Sequence, residues 1–502
     1  MIWPKTTGAW SAAWDVRPIA WLMVALTAVA GAGILFAPRP LLILGAALAA
    51  MLITVLAAWP NTATLVVIGI LYSNAAVVAV TFHGVPYLIG ASVSLLLAVP
   101  LIHYVVLRRE RLIIGPVLPL IGVFLVIQLF SATFSKNPAF SLGKLGVSVV
   151  EGLCLYFLVI NVIRTPAMLR RVTWVLLGVG AFLGGLSTLQ QITKTYQCQY
   201  AGFAQMSESS FQTDQATAHG QLRQRRLAGP IGDQNRYAQI MLMLVPLGLF
   251  RFWSERSRKL RIAALAATVL TLAGVALTFS RGAAVAFALL LAIMVFLRYV
   301  SLKQLGIILL GIVLVFCALP QYGSRLTSLG VFGSALQREG PGIAKADSSI
   351  RSRYTEAMAA GLIFADHPLT GVGPGMYPAH YHEYAKKVGL NVKESSRQSH
   401  TLFLGIAAEL GAPGILAFLA IVGVALWNLA RARRRCLRGR PDLAHLVTGF
   451  MLAIVAYLAV GFFLHFAYVR YFWLMLALAG AACYAARVAD VGSKGATAAA
   501  RP

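Results

Sequence analysis

Long apolar runs separated by short polar connections constrain this chain more than any other feature. Fourteen such runs recur along the sequence, most of them about 17 to 25 residues long. A helix of this length crosses about 30 Å of hydrocarbon, and inside a bilayer every backbone N–H and C=O must find an internal partner. With 59% apolar residues and 12% charged residues, the composition falls outside that of soluble domains. The sequence therefore predicts an all-α, polytopic transmembrane helical bundle of about 12 to 14 spans.

The predicted spans fall into three blocks that are separated by two long polar segments. They are residues 19–36, 41–58, 63–82, 87–107, 112–132, 145–163, 172–193, 237–253, 262–279, 283–299, 304–320, 401–430, 446–466 and 468–486. The predicted organisation is N-terminal membrane helices (1–193), a first long loop (194–236), central membrane helices (237–320), a large, partly helical loop (321–400), and C-terminal membrane helices with a tail (401–502). The first span lacks a small-residue cleavage site and is expected to be an uncleaved helix.

Lysine and arginine clusters predict the orientation of the bundle. They lie at residues 108–111, 164–171, 251–261, 298–303 and 431–440, and two predicted spans separate each cluster from the next. The positive-inside rule therefore places all of them in the cytoplasm, with both termini, and places both long loops on the outer, periplasmic side. Because the net charge of +27 is distributed between helices, no nucleic-acid partner is expected.

Two kinds of site are excluded by residue spacing. The five cysteines lie far apart, without CxxC or Cys/His spacing, so neither a disulfide framework nor a metal site is expected. The glycines of Gly371–Gly375 do not follow a phosphate-loop pattern, no strand precedes them, and they lie on the side without ATP. No cofactor is therefore expected.

Basic side chains at three places on the outer side are candidate ligand-binding residues. Arg281 interrupts two apolar helices in TFSRGA, where it is either a snorkelling helix-end charge or a ligand contact. In the first loop, Arg226 and Asn235 flank a Gly-Pro turn and belong either to a solvated linker or to an anion site.

The large loop adds two more arginines and a histidine. Spacing of Ile350, Tyr354, Met358 and Leu362 predicts an amphipathic helix from about Ile350 to Phe364, which Arg351 and Arg353 open. His400 precedes the next membrane helix, where a lone histidine is most often a cap or interface residue. Arg281, Arg351 and His400 can nevertheless converge on one outer surface, with no rival acid pair nearby, as a site for a dianion and a base.

Four segments in this order resemble the O-antigen ligase and O-antigen polymerase superfamily of bacterial membrane glycosyltransferases. They are RLAGPIGDQNRYA, TFSRGA, the Arg351 helix leading to DHPLTGVGPGMY, and SHTLFLGIAAELGAPGILAF. Two features differ from the family: Ser399-His400-Thr401 stands where a His-Asn pair is common, and 321–348 is a long insertion.

The resemblance implies a metal-independent, inverting glycosyl transfer on the periplasmic face of the inner membrane. The donor would be a glycan on undecaprenyl diphosphate, and the acceptor would be lipid A-core for a ligase or a second lipid-linked glycan for a polymerase. Arg281 and Arg351 would bind the diphosphate and His400 would activate the acceptor hydroxyl, while Arg226, Asn235 and Arg353 would contact substrate.

Several alternatives remain open from the sequence. Ligase-type transfer is favoured over O-antigen, capsule or exopolysaccharide polymerisation and over protein O-glycan transfer. A transporter of polysaccharide or lipid-linked glycan also needs many membrane helices, but it predicts inverted repeats and helix breaks at the bilayer midplane. The sequence has no clear repeated half, and its polar residues concentrate on one outer face.

Overall fold

The computed structural model describes residues 58–209, 224–308, 310, 348–389, 397–437, 439–467 and 469–499. Eight helices in this part of the chain are long and apolar enough to cross a membrane, or nine spans if a helix pair bent by 60° is one span. The protein is a polytopic helical membrane protein, as the sequence predicts.

The helices follow the predicted order of spans. Those before the first long loop are α1 (Pro60–Ser73), α2 (Ala75–His83), α3 (Tyr87–Leu107), α4 (Val117–Thr133), α5 (Pro138–Val162) and α6 (Pro166–Thr193). The central ones are α7 (Gln234–Ser254), α8 (Arg258–Ala276) and α9 (Arg281–Phe296). The large loop contains α10 (Ser348–Asp366) and α11 (Tyr377–Val388). The last three helices are α12 (Leu402–Cys436), α13 (Pro441–Gly461) and α14 (Val469–Ala499).

Most of the predicted spans coincide with one of these helices. The bent pair α1 and α2 covers the prediction 63–82, and α4 and α9 are shorter than a full span, with 17 and 16 residues. The predicted spans 19–36, nearly all of 41–58 and most of 304–320 lie outside the described residues.

Helix α7 forms the centre of the bundle and fixes the position of its own first turn. It is buried along almost its whole length and packs on α6, α8, α9 and α13. Asp233 caps its beginning, because the carboxylate accepts hydrogen bonds from the amides of Asn235 (2.8 Å) and Arg236 (2.9 Å). The residues that open α7 are therefore held rigidly at one end of the bundle.

The first long loop contains a β-hairpin that the sequence analysis did not predict. Strand β1 (Gln205–Ser209) pairs antiparallel with β2 (Gln224–Gly229), with Ser207 opposite Arg226. The amide of Leu227 donates to the carbonyl of Leu277 at the end of α8, at 3.3 Å. The hairpin is thus attached to the turn between α8 and α9.

The large loop folds into a small unit with a hydrophobic cluster of its own. Helix α10 (Ser348–Asp366) and helix α11 (Tyr377–Val388) pack on each other, and the only residue of α12 in their cluster is Ala408. The predicted helix is confirmed, but its predicted apolar face is wrong. Tyr354 and Met358 are 40% and 42% exposed, whereas Ala359 is buried, because small side chains allow α10 to pack closely against its neighbours.

A break in α12 joins the large loop to the membrane helices. Gly411 has φ 67° and ψ −169°, a conformation that is essentially restricted to glycine. The amides of Val372 and Gly373 donate to the carbonyls of Ala408 (3.0 Å) and Glu409 (2.9 Å) just before the break. The amide of Ala412 donates to the carbonyl of Pro368 at 2.7 Å. The loop therefore satisfies backbone groups that the break removes from the helix.

Changing Gly371 to alanine is expected to destabilise this junction. Gly371 has φ 64°, and an added Cβ would lie 2.3 Å from the carbonyl carbon of Glu409. The positive φ alone costs about 1–3 kcal/mol of unfolding free energy. We expect a lower thermal unfolding midpoint for the purified protein, whereas Gly423→Ala in α12, where an added Cβ meets no atom within 4 Å, leaves it unchanged. Equal midpoints for the two variants would contradict this account.

Candidate active site

His400 lies at the junction of the large loop and α12, where the backbone holds it in an uncommon conformation. Its φ is 48°, in the left-handed region that costs a residue with a side chain about 1–3 kcal/mol. Neighbouring Ser399 is buried, and its hydroxyl donates to the carbonyl of Thr401 at 2.9 Å. The imidazole remains 27% exposed, so it is fixed in place and still accessible.

A buried carboxylate faces His400 from helix α10. Glu356 Oε2 lies 3.6 Å from His400 Nε2, and the Glu356 side chain is only 1% exposed. The other carboxylate oxygen accepts from the Ser352 hydroxyl at 3.0 Å, and the Glu356 carbonyl accepts from the Tyr377 hydroxyl at 2.6 Å. The sequence analysis missed Glu356, although it lies one turn after Arg353 on the same predicted helix.

A second histidine lies beside the first. The rings of His465 and His400 are 6.0 Å apart and nearly perpendicular, at 86°. His465 belongs to the connection between α13 and α14, and it was missed because that connection reads as apolar and short. Its one signal in the sequence is that it is the only ionisable residue in FFLHFA.

Burial and nearby positive charges keep the two rings neutral. Burial, followed by the charges of Arg353 and Arg236, lowers the pKa of His400 to about 4, against a smaller opposing effect of Asp233. Burial, Arg236 and His400 lower the pKa of His465 to about 2. Both imidazoles therefore have free lone pairs at neutral pH.

Arg236 is a buried positive charge of the site, and the sequence analysis missed it too. It lies in the first turn of α7 and is 3% exposed. One of its terminal nitrogens donates to Gln239 Oε1 at 3.3 Å, and Gln239 in turn donates to the carbonyl of Tyr457 on α13 at 3.0 Å. This network holds the guanidinium close enough to both histidines to lower the pKa of each.

Arg226 and Asn235 meet at the turn that precedes Arg281. Arg226 is 7% exposed; its Nε donates to the carbonyl of Thr278 at 2.7 Å, and its terminal nitrogen donates to Asn235 Oδ1 at 3.0 Å. Its contacts include the carbonyl of Phe279, which has φ 52°. The two segments that the sequence singled out, RLAGPIGDQN and TFSRG, are thus in direct contact.

Arg281 opens helix α9 next to the connection that carries His465. Ser280 caps the helix, and Arg281 itself is half-buried. An added Cβ at Gly282 would lie 3.1 Å from the side chain of Phe463, so this helix end packs against the segment that follows α13. Arg351 lies on α10, five residues before Glu356, but its side chain is outside the described part of the structure.

A cavity of about 730 Å³ lies next to the two histidines. It is bounded by α4, α5, the segment before α11 and the first turns of α12, and it reaches Ser399 and His465. Its wall combines aromatic and hydrogen-bonding side chains, among them Phe124, Gln128, Asn137, Phe140, Lys144 and Phe466. The candidate active site therefore has arginines near the histidines and, next to them, a cavity with both polar and aromatic walls.

Among the described residues, no group of three or more His, Cys, Asp or Glu side chains is arranged to hold a metal ion.

The family comparison covers the central part of this site. Residues 266–419 match a protein family described as O-antigen ligase, and this segment includes Arg281, Arg353, Glu356 and His400 but neither Arg236 nor His465. No curated protein matches the chain. The protein is thus a multi-pass membrane protein whose residues 266–419 form an O-antigen ligase family domain, the domain of ligase- and polymerase-type membrane enzymes of surface polysaccharide synthesis.

Proposed function

We propose that the protein is a ligase-type glycosyltransferase that moves a glycan from undecaprenyl diphosphate to a sugar hydroxyl of lipid A-core. The reaction would take place on the periplasmic face of the bacterial inner membrane, with both termini in the cytoplasm. The observation that carries the proposal is a neutral, accessible histidine that faces a buried carboxylate and lies within the field of two arginines. A base beside a preformed positive site suits the attack of a hydroxyl on a glycosyl diphosphate.

The arginines would bind and stabilise the leaving diphosphate. Arg281, Arg351 and Arg353 are the proposed contacts, because guanidinium groups bind phosphate oxygens in pairs and remain charged at all relevant pH values. Arg236, buried below them, would contribute fixed positive charge. Arg226 and Asn235 hold the turn before Arg281, and we propose that they act on the substrate through that turn.

His400 would accept the proton of the acceptor hydroxyl. The hydroxyl oxygen forms a bond to the anomeric carbon from the face opposite the diphosphate, the carbon–oxygen bond to the diphosphate breaks, and the diphosphate leaves with that electron pair. This displacement inverts the anomeric centre. Glu356, whose Oε2 lies 3.6 Å from Nε2, would stabilise the imidazolium that forms.

The 730 Å³ cavity is the proposed place of the acceptor sugar. Its aromatic rings suit the apolar faces of a sugar, and its amide and amine groups suit the hydroxyls. It reaches the residues next to His400, so a hydroxyl held there would lie near the base. With arginines in the role of a metal ion, we expect the transfer to proceed without a divalent cation.

Reconstitution of the purified protein would test the proposal. The protein is incubated with lipid-linked glycan and EDTA, and it is offered lipid A-core in one arm and a second lipid-linked glycan in the other. We expect glycan to appear on lipid A-core. Extension of the lipid-linked glycan instead would identify a polymerase, and no transfer to either acceptor would support transport.

The pH dependence of transfer should report the charges around His400. In the wild-type protein, kcat/KM is expected to fall only below about pH 5, because the free His400 has a pKa of about 4. Arg353→Gln removes a positive charge and so raises this pKa, which moves the acid limb to higher pH. Burial is the larger cause of the shift, and it keeps the pKa below the ordinary value.

Arg353→Lys is the matched control, since it retains the charge and should retain the wild-type limb even if the rate falls. Arg236, Arg397, Asp233, Glu356 and His465 also face or influence His400 and stay unchanged in both variants. An identical acid limb in the Gln, Lys and wild-type proteins would remove His400 as the titrating group.

A further inference from the structure

A second basic site lies at the far end of α12. A cavity of about 110 Å³ is formed there by the start of α4 and by α5, α12 and α14. We call it the basic cavity; its lining includes Asn428, Arg431, Arg435 and Arg487. Among the residues that the structure describes, no aspartate or glutamate lines it. A space of this size can receive one phosphate group.

The three arginines converge on the basic cavity from two helices. Asn428, Arg431 and Arg435 follow one another at spacings of three and four residues, so they lie on one face of α12. Arg487 approaches from α14. None of the three arginines has a hydrogen bond or an ion pair with the rest of the described chain. An anion in the cavity would therefore meet donors that are not already occupied.

Small residues keep the basic cavity open between the helices. Ala425 and Ala432 of α12 face Ala479 and Gly480 of α14 across it. An added Cβ at Gly480 would lie 3.0 Å from the Tyr156 hydroxyl of α5, so the three helices approach closely just beneath the arginines. The cavity is thus a feature of helix packing and not a random gathering of surface charges.

Apolar side chains continue from the basic cavity onto the outer surface of the bundle. Ile113 and Ile114 line it together with Tyr156 and Leu476, and Ile114 is 70% exposed. A ligand that combines one phosphate with long apolar chains fits this arrangement better than a fully solvated anion does. Basic pockets between membrane helices on the cytoplasmic side are suited to anionic head groups.

The position of the basic cavity separates it from the candidate active site. Helix α12 begins two residues after His400, and Arg431 follows the break at Gly411 by 20 residues. At 1.5 Å per residue the part after the break alone spans roughly 30 Å, the thickness of the hydrocarbon core of a bilayer. The cavity therefore lies at the membrane surface opposite to His400, in a segment rich in arginine.

We propose that the basic cavity binds the phosphate of an anionic phospholipid from the leaflet opposite to His400, with the acyl chains lying along Ile114 and the exposed apolar residues Val123 and Val126 of α4. This proposal is independent of the transferase reaction. It assigns Arg431, Arg435 and Arg487 to the head group and Ile114 to the chains.

Lipid binding to the purified full-length protein in detergent would test it. Phosphatidylglycerol, phosphatidylcholine and inorganic phosphate are titrated separately, and bound lipid is counted by native mass spectrometry. We expect selective binding of phosphatidylglycerol. The double variant Arg431→Gln/Arg435→Gln should weaken this binding by roughly thirtyfold, since each basic residue near an anionic head group contributes about 1 kcal/mol.

Arg434→Gln/Arg440→Gln is the matched control. It removes the same charge from exposed positions of the same region that do not line the basic cavity, and it should bind lipid like the wild type. Arg487→Gln, on a different helix, should weaken binding by roughly fivefold. This second variant keeps the proposal testable if the double variant does not fold.

Three results would overturn the proposal. Equal binding of phosphatidylglycerol and phosphatidylcholine would show that no anionic site exists. Equal loss in the cavity and control double variants would show a diffuse effect of surface charge. Competition by inorganic phosphate at the same concentration as the lipid would show that the cavity takes a free anion.

Discussion

Changing His400 to alanine is expected to lower the rate of glycan transfer by about 10²- to 10⁴-fold, the usual contribution of a positioned general base. We propose the neutral imidazole as the general base, because it is partly exposed and faces the Glu356 carboxylate, which would stabilise its protonated form. The measurement is the single-turnover rate of the purified protein with saturating lipid-linked glycan and acceptor.

The matched control for this substitution is His382→Ala. His382 is exposed on α11, in the same loop unit, and its loss should leave the rate unchanged. Both variants should have the wild-type unfolding midpoint, because His400 contributes no hydrogen bond to the described fold. Normal transfer by His400→Ala would remove the general-base role.

Changing Glu356 to glutamine is expected to lower kcat by about 10²-fold with little change in the KM for the donor. Glutamine has nearly the same shape, but it cannot balance the positive charge that His400 would acquire as the proposed base. The split between kcat and KM separates this role from donor binding, which we propose for the arginines. The readout is steady-state transfer at varied donor concentration.

Glu383→Gln provides the matched control for the carboxylate. Glu383 is a 58% exposed acid on α11 that pairs with Lys136 at 3.8 Å and is not among the groups that shift the pKa of His400, so its charge should not influence the reaction. A purely structural role for Glu356 would appear as a lower unfolding midpoint with normal kcat in the folded protein. That outcome would contradict the proposed pairing with His400.

The membrane architecture could be predicted from the sequence because span length and hydropathy are local properties. His400 and Arg353 could be singled out because they stand at the ends of predicted helices, and their roles stay predictions. Glu356, Arg236 and His465 could not be found in this way, because they reach His400 from three elements that are far apart in the sequence. The sequence around each of these residues is ordinary, and only the packing of the helices brings the three side chains together.

Two local predictions failed for physical reasons that can be stated. The buried face of α10 was assigned to large residues, whereas the close approach of α11 and α12 selects Ala359 and Ala360. The hairpin of the first loop was missed because β1 and β2 are polar and pair across an intervening segment. The segment that packs on the break at Gly411 could be recognised only in three dimensions.

The break in α12 also has a consequence for how the protein is made. The stretch 402–410 cannot complete its own backbone hydrogen bonds, since Ala408 and Glu409 accept from amides that belong to residues 372 and 373. Those residues must already be in place before this half-helix reaches its final form. Assembly therefore has an order, and His400 takes up its position only when the large loop has packed against α12, so a partly folded chain holds no assembled candidate active site.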